Sequence, residues 1–598
     1  MALVLTAVAI AVRLAWVLLV PTRPVGDFAM YIESARYLVE HHSFDPEFIY
    51  MPGYVFLVAA VDALGGGLTA IKMIGVAAGG LATAAVYGTA RAVFGRGAAI
   101  LAGLLCALWP AGIAVSSVTG TDMPAAALLA LAVWLLARNA GRRPLGAPLL
   151  FGAALGLAAY VRAVALPLAF LAAPHFRARG ARWLHVATRS LAAVAVAFVV
   201  LLPWGLRNRH LYGEFFLTDS HGGHTALVGA NPDSDGAYSR SLNRLFSEGT
   251  GYALFAPPHR QADRAAYALA KAWTAFEPKY ALGLLAAKAE RLLGNERALL
   301  YWPLYRQSVL AEGNWFDLHR AGIERLTDDW WTLVVAAAAL GVVAAAARRS
   351  WPALTLLPFP LALTALYAVF FAEARYQLAI VVLMLPFAGA GLDWMATCAR
   401  DLVRPAGQGV RWRVAREGLA ALLALTLIFC GWPRLVAAGT GLRDRYRWAV
   451  CVCEIAGARR LCNFRATAPP PGQGTSPLRG VWDGFGLRTS PERAAAATDL
   501  DLPPGRYRIS ARVEAVGSTT APVGLAAAPG RVDLAVSGAR LAQASWPTTA
   551  APITLAGVVV HGGGALRIEL QAQRERPSRT DGAPTLWVSA IDVEPDRP

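Results

Sequence analysis

Long apolar runs alternate with short basic segments from residue 2 to about residue 438, and the alternation then stops. Runs of roughly bilayer-spanning length fall at 2–20, 70–91, 97–117, 121–137, 147–161, 163–175, 189–206, 330–347, 351–371, 376–397 and 417–438. They predict about eleven transmembrane helices, of which 163–175 is short for a full span. Residues 52–66 are also apolar, but short and glycine-terminated, and read as an interfacial or re-entrant helix. Over 28–42, Phe28, Tyr31, Ile32, Ala35 and Leu38 recur at helical spacing and predict a helix lying along the membrane surface. Asp27 then takes the N-cap position, which Asp favours. Two amphipathic helices are predicted over 260–276 and 279–293, the second with Leu282, Leu285, Ala289 and Leu292 as its apolar stripe.

After about residue 475 the period falls to two. Tyr507, Ile509, Ala511 and Val513 alternate with Arg508, Ser510, Arg512 and Glu514, and Leu566, Ile568, Leu570 and Ala572 alternate with polar neighbours. Gly, Pro and Thr clusters separate these runs, which predicts an all-β sandwich of jelly-roll type. The expected fold class is therefore an α-helical polytopic membrane domain over 1–438, a linker with a cysteine cluster over 439–475, and a β-sandwich over 476–598.

Charge sets the orientation. The net charge of +17 rests on Arg far more than Lys. The arginines gather in alternate short loops: Arg91 and Arg96; Arg138, Arg142 and Arg143; Arg177, Arg179, Arg182 and Arg189; Arg348 and Arg349; Arg400, Arg404, Arg411, Arg413 and Arg416. The positive-inside rule puts these loops in the cytoplasm. They form no contiguous basic surface, which argues against nucleic acid as a partner. The segments 21–69, 117–122, 207–328 and 372–376, with everything after 439, then share the outer side. Arg13 interrupts the first apolar run and no basic stretch precedes it, so that run is expected to stay as a span rather than be cleaved.

The candidate chemistry gathers on that outer side. Asp27 stands just outside the first span, and Asp122 opens the helix after the second outer turn, where an N-cap role is the plainer reading. Glu373, Arg375 and Tyr376 share one outer turn, with Glu373 placed to orient Arg375. Arg162 and Arg207 lie at the outer ends of their helices, where an arginine more often snorkels to the interface. His221 and His224 offer two ligands without a third, a weak metal signal. Trp482 and Trp587 are candidates for stacking on sugar, with core packing the commoner role. Cys106, Cys398 and Cys430 read as packing residues. Cys462 is expected to pair with Cys451 or Cys453.

Five stretches together resemble the GT-C glycosyltransferases, and within them the protein O-mannosyltransferases and lipid A aminoarabinose transferases. They are Asp27-Phe28-Ala29-Met30-Tyr31 with Tyr50-Met51-Pro52-Gly53-Tyr54; Arg91-Ala92-Val93-Phe94-Gly95; Thr121-Asp122-Met123-Pro124; Pro203-Trp204-Gly205-Leu206-Arg207-Asn208 running into His221-Gly222-Gly223 and Gly229-Ala230-Asn231-Pro232; and Glu373-Ala374-Arg375-Tyr376. Met51, Val55 and Ala163 depart from the family's usual residues. The resemblance implies a transferase of the bacterial inner membrane that moves a sugar from a polyprenyl-phosphate donor to an acceptor hydroxyl on a glycolipid, glycan or protein, on the periplasmic face. Inversion at the sugar carbon is expected, with Asp27 as general base. Substrate binding is expected of Tyr31, Asp122, Arg162, Arg207, Glu373, Arg375 and Tyr376, with Arg375 on the phosphate. No cofactor is assigned, and a divalent cation between Asp27 and Asp122 is an alternative use of the second carboxylate. A lipid-linked sugar transporter, or a non-catalytic envelope protein that binds glycan through the sandwich, are the rival classes. A transporter favours mid-membrane charge and repeat symmetry, whereas the charges here gather at the outer face and no repeat is visible.

Overall fold

The computed structural model describes residues 1–139, 146–232, 234, 242–403, 408–455, 458–466, 478–481, 484–488, 493–516, 530–546, 552–574 and 585–596. The chain forms two compact units, one of 1–220, 289–368 and 372–434, the other of 221–288, 369–371 and 435–598.

The first unit is helical. Among the described residues seven helices are long and apolar enough to cross a membrane: Ala2–Leu19, Leu68–Val93, Trp183–Tyr212, Arg320–Ala347, Trp351–Val369, Ala374–Asp401 and Val414–Arg445. Shorter apolar helices occupy Gly53–Ala63, Arg96–Ala107, Gly146–Val161 and Ala163–Ala178. The run expected as one span over 97–117 is instead broken. Its helix stops at Ala107, and a short one, Pro110–Val115, restarts with proline in its first turn. Proline has no N–H to donate and costs least in a helix's first turn, where that N–H has no partner anyway. Arg13 serves this break, donating to the carbonyls of Cys106 at 3.0 Å and Ala107 at 3.1 Å. Gly79 makes room for it, since a Cβ there would lie 2.2 Å from Arg13 Nε. Residues 163–175 also depart from a regular span, forming a tight 3₁₀ segment Ala163–Leu171 around Pro167 and then the helix Ala172–Ala178.

The surface helix expected over 28–42 occupies Asp27–His41 and buries Phe28, Tyr31, Ile32 and Ala35. The capping expectation fails. Gly26 is the N-cap, at φ 60°, and no side chain caps the helix, so Asp27 is its first residue with its carboxylate turned elsewhere.

The second unit combines helices with the sandwich. The predicted amphipathic helices occupy His259–Phe276 and Pro278–Leu293. A further helix, Gly222–Ala230, is pinned to the first of these where Gly223 N donates to Asp263 Oδ1 at 2.6 Å. The strands are β1 Ala449–Ile455, β2 Ala458–Ala466, β3 Leu478–Val481, β4 Gly484–Arg488, β5 Arg493–Leu502, β6 Gly505–Val516, β7 Gly530–Val536, β8 Ala539–Trp546, β9 Ile553–His561, β10 Gly564–Arg574 and β11 Thr585–Pro595. In one sheet β9 pairs β6, β6 pairs β11, and β11 pairs both β4 and, in parallel, β1. The other runs β5-β10-β7-β8, and β2 pairs β1 of the first sheet and β5 of the second. Much of the expected linker is thus sheet, because β1 and β2 lie within 449–466. The inward residues of the alternating runs, including Ile509, Val513, Leu534, Ile568 and Leu570, form its core. Cys462 is a buried free thiol, so the disulfide expected of it is not formed.

Candidate functional site

The Asp27–His41 helix and the turn Ala374–Tyr376 meet through an ion pair. Arg375 Nη2 lies 3.3 Å from Asp27 Oδ2, across 348 positions of sequence. Arg375 Nε also pairs with Glu373 of its own turn. The Arg375 side chain is 13% exposed and the Asp27 side chain 45%, so the cation is enclosed while the carboxylate faces outward. Aromatic rings wall the guanidinium, with Phe28 5.2 Å, Tyr376 5.6 Å and Trp302 5.9 Å from its carbon. Phe28 and Trp302 pack edge to face at 5.0 Å.

A second pair stands beside the first. Arg162 Nη2 is 2.5 Å from Asp122 Oδ1, and its Nε donates to Thr121 Oγ1 at 3.0 Å. Asp122 therefore opens the helix Asp122–Asn139 as its first residue and spends its carboxylate on Arg162. Arg162 lies 4.5 Å over the Tyr376 ring, which stacks on Tyr367 at 4.6 Å. Tyr376 thus meets both guanidiniums. Such cation–π contacts range from about 0.5–1 kcal/mol when exposed to about 2 kcal/mol when desolvated. Neither arginine snorkels into open solvent.

Tyr31 continues the site, packed against Tyr50 at 5.8 Å and Tyr54 at 5.6 Å. Burial pushes the Tyr31 hydroxyl up to about 12, with Arg162 working the other way. Burial and then the Asp27 charge push Tyr50 well up. Both phenols stay protonated at neutral pH and remain hydrogen-bond donors. By count, Asp27, Asp122 and Glu373 face Arg162 and Arg375, leaving one negative charge in excess.

The structure thus groups Asp27, Tyr31, Asp122, Arg162, Glu373, Arg375 and Tyr376. Arg207 keeps different company, donating to Asp45 O and Asn208 Oδ1 and lying 4.5 Å over Trp204. Phe28, Thr121, Trp302 and Tyr367 also belong to the site, and sequence pattern does not mark them as site residues. Phe28 and Thr121 fall inside the five family-like stretches without being singled out, and Trp302 and Tyr367 fall outside them. His224 is buried in the second unit, near the rings of Phe246 and Phe255. Burial, then His221 and His259, push it down to about 4, which keeps it neutral at physiological pH. Among the described residues no group of three or more His, Cys, Asp or Glu is arranged to hold a metal ion. Trp587 is half-buried on β11, opposite Glu514 of β6, and Trp482 lies outside the described residues.

Residues 50–206 match the family described as dolichyl-phosphate-mannose-protein mannosyltransferase. This bears out the resemblance to GT-C membrane glycosyltransferases. No curated protein matches the chain. Among solved structures, the Archaeoglobus fulgidus oligosaccharyltransferase AglB, in complex with an inhibitory peptide and a dolichol-phosphate, is 16% identical with a TM-score of 0.41. The match covers 73% of this chain and 56% of that one. ArnT from Cupriavidus metallidurans, bound to undecaprenyl phosphate, is 16% identical over 74% of this chain and 75% of its own, with a TM-score of 0.39. The arabinosyltransferase EmbB from Mycobacterium smegmatis is 12% identical, covering 99% of this chain and 64% of its own, with a TM-score of 0.26. At this level the likenesses assign no residue a role.

Proposed function

We propose that the chain is a membrane glycosyltransferase that moves a sugar from a polyprenyl-phosphate donor to an acceptor hydroxyl. The observation that carries the reading is the Asp27–Arg375 pair, an exposed carboxylate on an enclosed, ring-walled guanidinium. The acceptor O–H gives its proton to Asp27 as its oxygen bonds to the anomeric carbon. The bond from that carbon to the phosphate oxygen breaks on the opposite face, with inversion. The polyprenyl phosphate leaves as an anion and needs no acid to protonate it. Arg375 receives that anion through planar, charge-assisted donors. When Arg375 turns to the phosphate, Asp27 is released from its ion-pair partner. Arg162, held by Asp122, packs on Tyr376, which also meets Arg375, and Tyr31 offers its hydroxyl to the sugar. Arginine placement supports an outward, periplasmic face of the bacterial inner membrane. The acceptor is a glycolipid, a glycan or a protein, and the sandwich is a candidate glycan-binding surface.

The test is detergent-purified full-length protein supplied with polyprenyl-phosphate sugars and an acceptor. Transfer by wild type and its loss in Asp27→Asn, with donor binding kept, is the expected result. Equal transfer by both would remove Asp27 as the base.

A further inference from the structure

Glu296 is fully buried, and one of its oxygens is accounted for. Trp109 Nε1 donates to Oε1 at 2.8 Å, whereas Oε2 is buried without a hydrogen-bond partner among the described residues. The adjacent Arg297 does not neutralise it, because its guanidinium pairs with Asp328 Oδ2 at 3.5 Å. No cation pairs with Glu296 among the described residues, and burial of an unpaired carboxylate favours its neutral, protonated form. Burial pushes its carboxyl well above the usual range, and the Asp328 charge adds to that. Asp328 Oδ1 accepts the backbone N–H groups of Glu296 at 3.0 Å and Arg297 at 2.9 Å. Trp109 is itself fully buried and stacked on Trp330 at 5.7 Å.

Two short helical turns follow this anchor, Arg297–Leu300 and then the wider Tyr301–Arg306. The second places Trp302 against Phe28 and near the Arg375 guanidinium. The far end pairs with the segment leading into Asp27. Arg23 N donates to Gln307 O at 2.7 Å, Val309 N donates to Pro21 O at 3.3 Å, and Thr22 and Ser308 form a bridge. Residues 296–309 are thus a strap, fixed at one end by a buried acid and at the other by the segment that carries the candidate base.

We propose that Glu296, as a neutral acid, is a positioning residue that sets the donor-phosphate site through this strap and Trp302. The proposal rests on the donor reading of that site. The Glu296 side chain reaches Trp109 and not the site itself, so its effect on the donor phosphate passes through the strap and Trp302.

The experiment uses the full-length protein in detergent with two readouts, the Kd for polyprenyl phosphate and amide hydrogen exchange over 21–27 and 297–309. Glu296→Gln keeps an acceptor for Trp109 without a charge, so wild-type exchange and a Kd within about twofold are expected. Glu296→Leu is expected to raise exchange in both segments and weaken the Kd about tenfold. Glu296→Leu combined with Trp302→Ala is expected to bind no more weakly than Trp302→Ala alone. Unchanged exchange in Glu296→Leu, or additive effects in the double variant, overturns the proposal. If Glu296→Leu does not fold, Glu296→Gln decides: wild-type protection upholds the neutral acid, and lost protection in a folded protein refutes it. If wild type fails to bind polyprenyl phosphate, the proposed function and the donor role of Glu296 fall together, while the exchange data still show whether the strap exists.

Discussion

Arginine is enclosed in two regions of the helical unit, fully in one and largely in the other, and the regions satisfy it in opposite ways. Arg13, within the first span, donates to the main-chain carbonyls of Ala9, Cys106 and Ala107. Arg162 and Arg375 meet Asp122, Asp27 and Glu373 and lie against aromatic rings. A guanidinium bound to a broken helix end closes that end and has no ready exchange of partner. One held by a partly exposed carboxylate and ring faces can pass to an incoming anion with little rearrangement. Lys288 repeats the first pattern in the second unit, donating to Phe370 O at 2.9 Å and Val369 O at 3.3 Å. Partner type therefore separates structural cations from candidate ligand-binding ones.

The most severe way to break this comparison is at the carboxylate. Asp27→Asn should lower transfer by about a hundredfold to ten-thousandfold, the usual worth of a general base. Rates measured at saturating donor should show it while binding persists.

Arg375→Ala should reduce kcat/KM for the lipid donor by about tenfold to a hundredfold, matching about 1.5–3 kcal/mol for charge-assisted hydrogen bonds. If donor kinetics are unchanged, Arg375 does not hold the phosphate, and the distinction from Arg13 loses its meaning.

Arg13→Leu should destabilise the fold by about 1–3 kcal/mol, because the carbonyls of Cys106 and Ala107 lose their donor. Thermal unfolding should register this, while donor KM of the folded enzyme stays at the wild-type value.

Lys288 sharpens the contrast through pH. Burial pushes its ammonium down to about 7, so between that pH and its ordinary value near 10.5 the unfolded chain binds the extra proton. Stability of the second unit should then rise with pH across that window, by at most about 1.4 kcal/mol per pH unit, and be flat in this respect below it. Lys288→Met should abolish the slope in pH-dependent unfolding.

The smallest effect belongs to the sandwich surface. Arg567 and Asp499 are cross-strand neighbours 3.5 Å apart and about half exposed. Solvent screens such a pair, so Arg567→Ala should move the unfolding midpoint by less than the equivalent of about 1 kcal/mol.

Much of the fold is legible in the order of residues. Apolar run length and alternation are local signals, and they place the membrane helices, the surface helix at Asp27 and the strands carrying Ile509 and Ile568. The break at Trp109-Pro110 is written as a proline, yet the run around it is apolar enough to read as one span. Phe28, Trp302 and Tyr367 are not legible as site residues, because an aromatic on a helix or loop looks the same whether it packs or walls a site. Arg207 and Arg162 are indistinguishable in sequence as arginines at helix ends. Only their neighbours, Asp45 and Trp204 against Asp122 and Tyr376, separate them.

By itself the sequence determined the two architectures, the loops that carry charge and the candidate carboxylates, because each depends on periodicity or composition within a short window. Tertiary structure alone decided which cation meets which anion. Asp27 and Arg375 stand 348 positions apart, and their pairing depends on where two helix ends converge. That convergence is set by the packing of every span between them, which no local pattern records.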